Sequence, residues 1–262
     1  MRSLVIMPTY NERENLPRLV PAVLDKNDSL DVLVVDDGSP DGTGEVAESL
    51  ARKTGRVRVM HRSGKQGLGT AYVAGFRYAL EKGYDRVVQM DADFSHRPED
   101  LPRLLEATEF ADVVVGSRNV PGGRVEDWSL LRRFVSKGGS LYSRILLGLP
   151  VKDCTSGFKC FRRRVLEAVD FAGVASNGYG FQVEMNYLCH RTKFAIAEVP
   201  IVFPDRTNGE SKMSWQIFSE AAGLVWKLRG QRATSAPAVT QGAANPSLTS
   251  AYATERRLEV PD

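Results

Sequence analysis

Histidine and cysteine are scarce in this chain, and long apolar runs are missing. It has three histidines in 262 residues, with no metal-ligand spacing between them, so an imidazole-based zinc centre is not expected. The three cysteines, Cys154, Cys160 and Cys189, form no Cys-x-x-Cys pair. Their odd number argues against a disulfide framework and for a reducing compartment. The apolar run inside Met1–Pro8 is far too short for a signal peptide. No segment has the uninterrupted apolar length of a spanning helix. The expectation is a cytoplasmic protein, or one peripheral on the cytoplasmic face of a membrane. A net charge of +3 and a pI near 8.7 are too slight to imply a nucleic-acid partner. They are compatible with an acidic substrate or an anionic membrane face.

What is present is ordinary globular material, 42% hydrophobic and 26% charged. The length suits one large α/β domain or two small ones. Short β-branched runs read as strands at Leu4–Met7, Asp31–Val35, Arg56–Met60, Arg86–Met90 and Asp112–Val115. They are near-continuous apolar runs, the pattern of strands covered on both faces. Helical patterns alternate with them at Glu12–Leu24, Thr43–Lys53, Gly69–Lys82 and Glu99–Ala107. Ser39 reads as the N-cap of the second helix, with Pro40 as its first residue. This order predicts an α/β fold, a mostly parallel central sheet with helices on both faces. After about Asn119 the rhythm changes. A basic amphipathic stretch follows at Leu130–Leu149, then strands at Lys159–Arg163 and Ala195–Phe203 with a helix at Gly178–Arg191 between them. Another helix is expected at Ser214–Arg229. Residues 1–230 read as the catalytic unit. The Ala/Pro/Thr-rich remainder, 231–262, reads as a disordered tail or linker.

Ligands of open parallel sheets gather beyond the carboxyl ends of the strands. Several strands here end in chemistry. The fourth delivers Asp91-Ala92-Asp93, whose carboxylates at i and i+2 can converge on one hard cation such as Mg²⁺ or Mn²⁺. The bland alternative is a polar turn before Pro98. The first strand runs into Pro8-Thr9-Tyr10-Asn11-Glu12, where Tyr10 can pack on a base and Glu12 can accept from base or ribose. Taken alone, those residues read first as a plain helix-start turn with an acidic first turn. The second ends in Asp36-Asp37, either of which can serve a ribose or cap the next helix. The fifth ends in Gly116-Ser117-Arg118. Arg206 and Lys212 lie in a glycine-containing loop and add cations for phosphate. Gly64–Thr70 is neither a Walker A loop nor a dinucleotide fingerprint. No Ser or Thr follows Lys65, and Tyr72 stands where a third glycine belongs. It reads as a tight entry to a helix whose Ala71, Ala74 and Gly75 pack closely.

In this order the segments resemble family 2 glycosyltransferases with the GT-A fold, and within them the dolichol- or polyprenol-phosphate mannose synthases. The resemblance runs from Leu4 to about Lys227. It implies that Pro8, Tyr10, Glu12, Val35 and Asp37 hold the nucleotide of GDP-mannose. It implies that Asp91 and Asp93 bind the metal, with Ala92 near the diphosphate. Arg118, Arg206 and Lys212 would handle donor and acceptor phosphates. Arg132, Arg133 and Ser136 match the region that receives the phosphate of a polyprenyl phosphate. Some relatives carry Gln two residues after the second Asp, where this chain has Ser95. Many also carry C-terminal spans, so a separate membrane-anchoring protein or an interfacial surface is implied. Both basic amphipathic stretches can be read as such a surface or as core packing. Alternative readings are a UDP-glucose-dependent polyprenyl-phosphate glucosyltransferase, a non-catalytic nucleotide-sugar-binding protein, and a transferase acting on hydroxyl acceptors.

Overall fold

The computed structural model describes residues 1–170, 174, 178–204 and 215–230, with 131, 179 and 215–222 described by backbone alone. The elements in order are β1 (Ser3–Thr9), α1 (Leu16–Leu24), β2 (Leu30–Asp36), α2 (Thr43–Thr54), β3 (Val57–His61) and α3 (Leu68–Glu81). Next come β4 (Arg86–Gln89), a 3₁₀ turn at Pro98–Asp100, α4 (Leu101–Ala107), β5 (Val113–Ser117), β6 (Arg124–Val125) and α5 (Leu130–Leu147). The chain continues with β7 (Lys159–Arg162), α6 (Arg163–Ala168), α7 (Gly178–Arg191), β8 (Ile196–Pro200), β9 (Val202–Phe203) and α8 (Trp215–Gly230).

The main sheet has the order β3-β2-β1-β4-β7-β5-β8. Its strands run parallel except β7, which is antiparallel to both β4 and β5. That reversal has a positional consequence. The start of β7 lies at the edge where β1, β2, β4 and β5 end, so one more loop reaches that edge. β6 and β9 form a separate parallel pair.

Alternation along the strands feeds two cores. Leu4 and Ile6 of β1 join Tyr72 and Phe76 of α3, Val165 of α6 and Phe181 of α7. Val5 and Met7 point the other way, to Leu16, Leu19 and Val23 of α1, Ala47 of α2 and Leu104 of α4. Helices therefore cover both faces, as the apolar strands predict.

Several boundaries differ from the sequence reading for identifiable reasons. α1 starts at Leu16 rather than Glu12: residues 12–15 form a turn in which Asn15 N and Leu16 N both donate to Glu12 O at 3.1 Å, and Pro17 sits in the first turn of the helix, where its missing N–H costs nothing. Ser39 does not cap α2. Its hydroxyl donates to Asp36 Oδ1 at 2.5 Å, and the helix begins after Gly42, where Asp41 Oδ1 accepts from Thr43 N at 3.0 Å. The expected strand Ala195–Phe203 divides into β8 and β9 in different sheets. Pro200 has no N–H for the ladder, and Ile201 N instead reaches Ser117 O at 3.1 Å. The tail call, residues 231–262, lies outside the described residues.

The tight helix entry after Gly67 has a packing reason. A Cβ added at Gly75 would stand 2.7 Å from both Cδ1 and Cγ2 of Ile6, which is fully buried. Only a bare Cα lets α3 lie this close on β1. Gly75→Ala is expected to lower stability by about 1–3 kcal/mol, the usual cost of overpacking. Adding Ile6→Val, which removes Cδ1, should recover part of that loss in urea unfolding.

Candidate active site

The edge formed by the ends of β1, β2, β4 and β5 and the start of β7 carries most of the polar residues singled out above. At β2 the two adjacent carboxylates divide their work. Asp36 is structural. Its Oδ1 accepts from Thr9 Oγ1 at 3.2 Å and Ser39 Oγ at 2.5 Å, and its Oδ2 from Ser39 N at 3.2 Å. Asp37 faces the 62–67 loop. Its Oδ2 accepts from Gln66 N at 3.3 Å, and its Oδ1 lies 3.2 Å from Arg62 Nε. The ion pair is close but poorly aligned. Asp37 Oδ1 and Arg62 Nη1 are both buried with no hydrogen-bond partner among the described residues. An acceptor held only by an ion pair and a donor without a hydrogen bond thus stand side by side at the end of β2.

Around them, Tyr10 is exposed with Lys65 Nζ 4.5 Å from its ring centroid. Glu12 Oε2 accepts from Asn15 Nδ2 at 2.6 Å, and Glu12 N donates to Thr43 Oγ1 at 2.9 Å. Pro8 is half-buried. Val35 is fully buried with its side chain in the core, so any contact it makes with a ligand is through backbone.

Beyond β4, each carboxylate of the Asp91-Ala92-Asp93 triplet has one oxygen fixed by the protein. Asp91 Oδ1 accepts from Tyr72 Oη at 3.0 Å, and Tyr72 is held by stacking on Phe181 with centroids 5.9 Å apart. Burial, reinforced by Asp91, pushes the Tyr72 phenol well above its ordinary range, so it stays a donor. Asp93 Oδ1 accepts from Ser95 N at 3.0 Å and Ser95 Oγ at 2.5 Å. Ser95 therefore orients an acidic residue. The Asp91 amide donates to His96 Nδ1 at 2.9 Å, and that ring stacks on Phe158. The turn holds Phe94 at a left-handed φ of 62°, a costly conformation for a bulky residue.

Hard carboxylate oxygens in this arrangement suit Mg²⁺ or Mn²⁺. Among the described residues, no group of three or more His, Cys, Asp or Glu side chains is placed to enclose a metal. An ion at Asp91 and Asp93 would therefore draw its other ligands from substrate and water, which is how Mg²⁺ is commonly held beside phosphates.

At β5 the finding is a buried ion pair. Arg118 N and Nε donate to Asp153 Oδ2 at 2.9 and 2.7 Å, and Nη2 donates to Asp153 Oδ1 at 2.6 Å and Thr155 Oγ1 at 2.9 Å. Burial pushes the Asp153 carboxyl up, but the Arg118 guanidinium outweighs this and holds it below the usual carboxylate range. Arg118 is thus built into the wall of the site. Its guanidinium carbon lies 5.5 Å from the Trp128 ring centre and 5.1 Å from that of Phe203. Arg132 stacks on the same Trp128 at 3.9 Å. Arg133 Nη2 donates to Val125 O at 3.4 Å, and Ser136 is half-buried on α5. Arg206 and Lys212 lie outside the described residues.

A family model described as glycosyl transferase family 2 matches residues 4–170. The chain belongs to glycosyl transferase family 2. It is 51% identical over 239 residues to the undecaprenyl-phosphate mannosyltransferase of Micrococcus luteus, covering 89% of this chain and 98% of that one. It is 50% identical over 234 residues to the polyprenol monophosphomannose synthase of Mycolicibacterium smegmatis, covering 88% of each. Among solved structures, the glucosyl-3-phosphoglycerate synthase of Mycobacterium tuberculosis with Mn²⁺, UDP-glucose and phosphoglyceric acid superposes with a TM-score of 0.64 at 20% identity. That alignment covers 89% of this chain and 81% of that one. At this identity the likeness shows the fold, which is GT-A.

The sequence reading of this glycosyltransferase missed Tyr72, Trp128 and Asp153. Asp153 carried a faint signal, an acidic residue between the apolar Leu149–Val151 segment and a Thr-Ser-Gly turn. Trp128 carried none, being one aromatic before a helix. Replacing Arg118 by Met leaves the Asp153 carboxylate buried and unpaired, so a loss of about 3–5 kcal/mol is expected. Pairing Arg118→Met with Asp153→Leu should restore much of it in denaturant titrations. Because the folded Asp153 value is depressed, its stabilisation is present above the unfolded value of 3.8 and is lost as pH falls through the folded value. The double variant should lack that part of the acid transition.

Proposed function

We propose that this chain transfers mannose from GDP-mannose to a polyprenyl monophosphate with inversion, in a metal-dependent reaction at a membrane surface. The observation that carries the acceptor class is the two-sidedness of α5. Its inner side presents Arg132 stacked on Trp128, near the Arg118 wall. Its outer side exposes Leu130 (72%), Phe134 (75%), Leu141 (54%) and Ile145 (69%). These positions fall on one helical face, flanked by exposed Lys137 and Arg144. A cationic recess next to an apolar, cation-flanked stripe fits a phosphate joined to a hydrocarbon chain. Among the described residues no helix is long and apolar enough to cross a membrane. Contact with the bilayer would then come through this stripe, alone or with a separate membrane-anchoring protein. The names of the two half-identical relatives support the same reaction.

On the donor side, Asp37 Oδ1 and Arg62 Nη1, neither with a hydrogen bond among the described residues, support a nucleoside, whose base and ribose offer both donors and acceptors. Tyr10, Glu12, Pro8 and the Val35 backbone would border it. Asp91, Asp93 and the Ala92 backbone would face the diphosphate, with Mg²⁺ or Mn²⁺ between. The ion supplies Lewis acidity that stabilises the leaving nucleoside diphosphate. Tyr72 and Ser95 hold the two carboxylates in place before substrate arrives, so little reorganisation remains in the reaction. The acceptor is a phosphate monoester with a second pKa near 6, largely dianionic at neutral pH. It needs no protein base to become a nucleophile. The chain's task is to hold it in line with the sugar carbon and to offset its charge, through Arg132 and Arg133 with Arg206 and Lys212.

Radiolabelled GDP-mannose, a short polyprenyl phosphate and Mg²⁺ or Mn²⁺ test the reaction directly. Label should pass into a mild-acid-labile lipid, and Asp93→Ala should reduce it at least about a hundredfold, the scale of losing preorganised charge stabilisation. Transfer from UDP-glucose alone would instead favour the glucosyl alternative. On α5, the pair Phe134→Ser and Ile145→Ser should abolish co-sedimentation with anionic phospholipid vesicles while leaving GDP affinity intact. Arg132→Ala with Arg133→Ala should raise KM for the lipid phosphate far more than that for GDP-mannose. An equal rise in both would sink the acceptor assignment.

A further inference from the structure

A nucleotide sugar is a linear molecule, and the strand order β2-β1-β4-β7-β5 sets out places for its parts. Asp37 stands at the end of β2 and the two carboxylates lie beyond β4. The next position along the edge is the turn that begins β7. If the nucleoside lies over β1 and β2 and the diphosphate over β4, the hexose falls at that turn.

The residue there is Gly157. A Cβ built on it would lie 3.4 Å from His96 Cε1, 3.5 Å from Gln182 Nε2 and 3.8 Å from Asp91 Oδ2. The bare backbone therefore leaves a notch walled by an imidazole, an amide and a carboxylate. Gln182, on α7, is 3% exposed. Its orientation is dictated from beneath by Lys159, which donates to Gln182 Oε1 at 2.7 Å and to Gln182 O at 2.9 Å. Burial lowers the Lys159 ammonium to about 7; in that charged form it can only donate, which turns the amide oxygen toward Lys159 and the NH₂ away. That NH₂ has no hydrogen-bond partner among the described residues. A buried donor without an acceptor is destabilising, and native structures retain few of them.

We propose that Gln182 Nε2 donates to a hydroxyl of the transferred hexose, and that Lys159 is the positioning residue that turns the amide toward it. The inference rests on the donor reading above. It adds a sugar contact that is supplied from α7, independent of the acidic triplet. At Gly157 a side chain would come into contact with Gln182 Nε2, His96 and Asp91 and cover the donor.

Calorimetric titration with GDP and with GDP-mannose, both with Mn²⁺, separates the parts. Gln182→Glu keeps the shape and leaves Lys159 an acceptor, but replaces the donor by an oxygen. It should weaken GDP-mannose by about tenfold or more, while GDP stays within about twofold. The loss should vanish with one of the GDP-deoxymannose analogues that each lack a single hydroxyl. Lys159→Met should produce the same selective loss, and adding it to Gln182→Ala should cost no more than either alone. Unchanged GDP-mannose affinity in Gln182→Glu, or an equal fall for GDP and GDP-mannose, overturns the proposal. Wild type that binds UDP-glucose but not GDP-mannose overturns the donor assignment alone. The same comparison on UDP and UDP-glucose then decides Gln182.

Discussion

The buried pair between Arg118 and Asp153 is the joint on which one half of this molecule turns. It ties the end of β5 to the loop entering β7, with side chains 6% and 0% exposed. Such pairs contribute little net stability, because desolvation consumes most of the attraction. Their use here is geometric. With its edge bonded to Asp153 and Thr155, the Arg118 guanidinium is near Trp128 and Phe203. Trp128 in turn carries Arg132. A single carboxylate thereby places an arginine, an indole and a second arginine. Glu198 of β8 holds the loop from the other side, accepting from Lys152 N at 2.8 Å and Asp153 N at 2.9 Å.

The other half follows the same logic with neutral partners. Tyr72 and Ser95 each occupy one oxygen of an acidic residue, and His96 accepts from the Asp91 amide. Preorganisation has a cost, visible in the left-handed Asn11 and Phe94 and in the buried polar atoms of Asp37, Arg62 and Gln182. These departures cluster at the ends of β1, β2 and β4 and across the notch at Gly157. They are not confined there: Gln89, inside β4 and fully buried, also has both side-chain amide atoms without a hydrogen-bond partner among the described residues.

Much of this was legible in the sequence because strand ends are local. An apolar run followed by Asp or Arg marks both a strand and the sheet edge at which it ends. Asp37, Asp91, Asp93 and Arg118 could be placed at one edge that way. What stayed hidden depends on contacts distant in sequence. Nothing local tells Asp36 from Asp37, since the difference lies in Thr9 and Ser39 on one side and Arg62 and Gln66 on the other. The direction of β7 is equally unmarked, because an apolar strand reads the same both ways. Without that direction Gly157 has no place at the site, and Lys159 is one charge in a short strand. The break between β8 and β9 was signalled by Pro200, but its meaning depended on Ser117 O taking over the next hydrogen bond.

The cysteines, noted first for their scarcity, have a practical consequence. All three are fully buried, and burial pushes each thiol up to about 12. At neutral pH they offer almost no thiolate to a reagent. The native chain therefore serves as its own blank for covalent labelling. A cysteine introduced on the outer side of α5 would be the reactive one. A fluorophore or nitroxide attached there could follow that helix against a bilayer without removing Cys154, Cys160 or Cys189 from a core they help to fill.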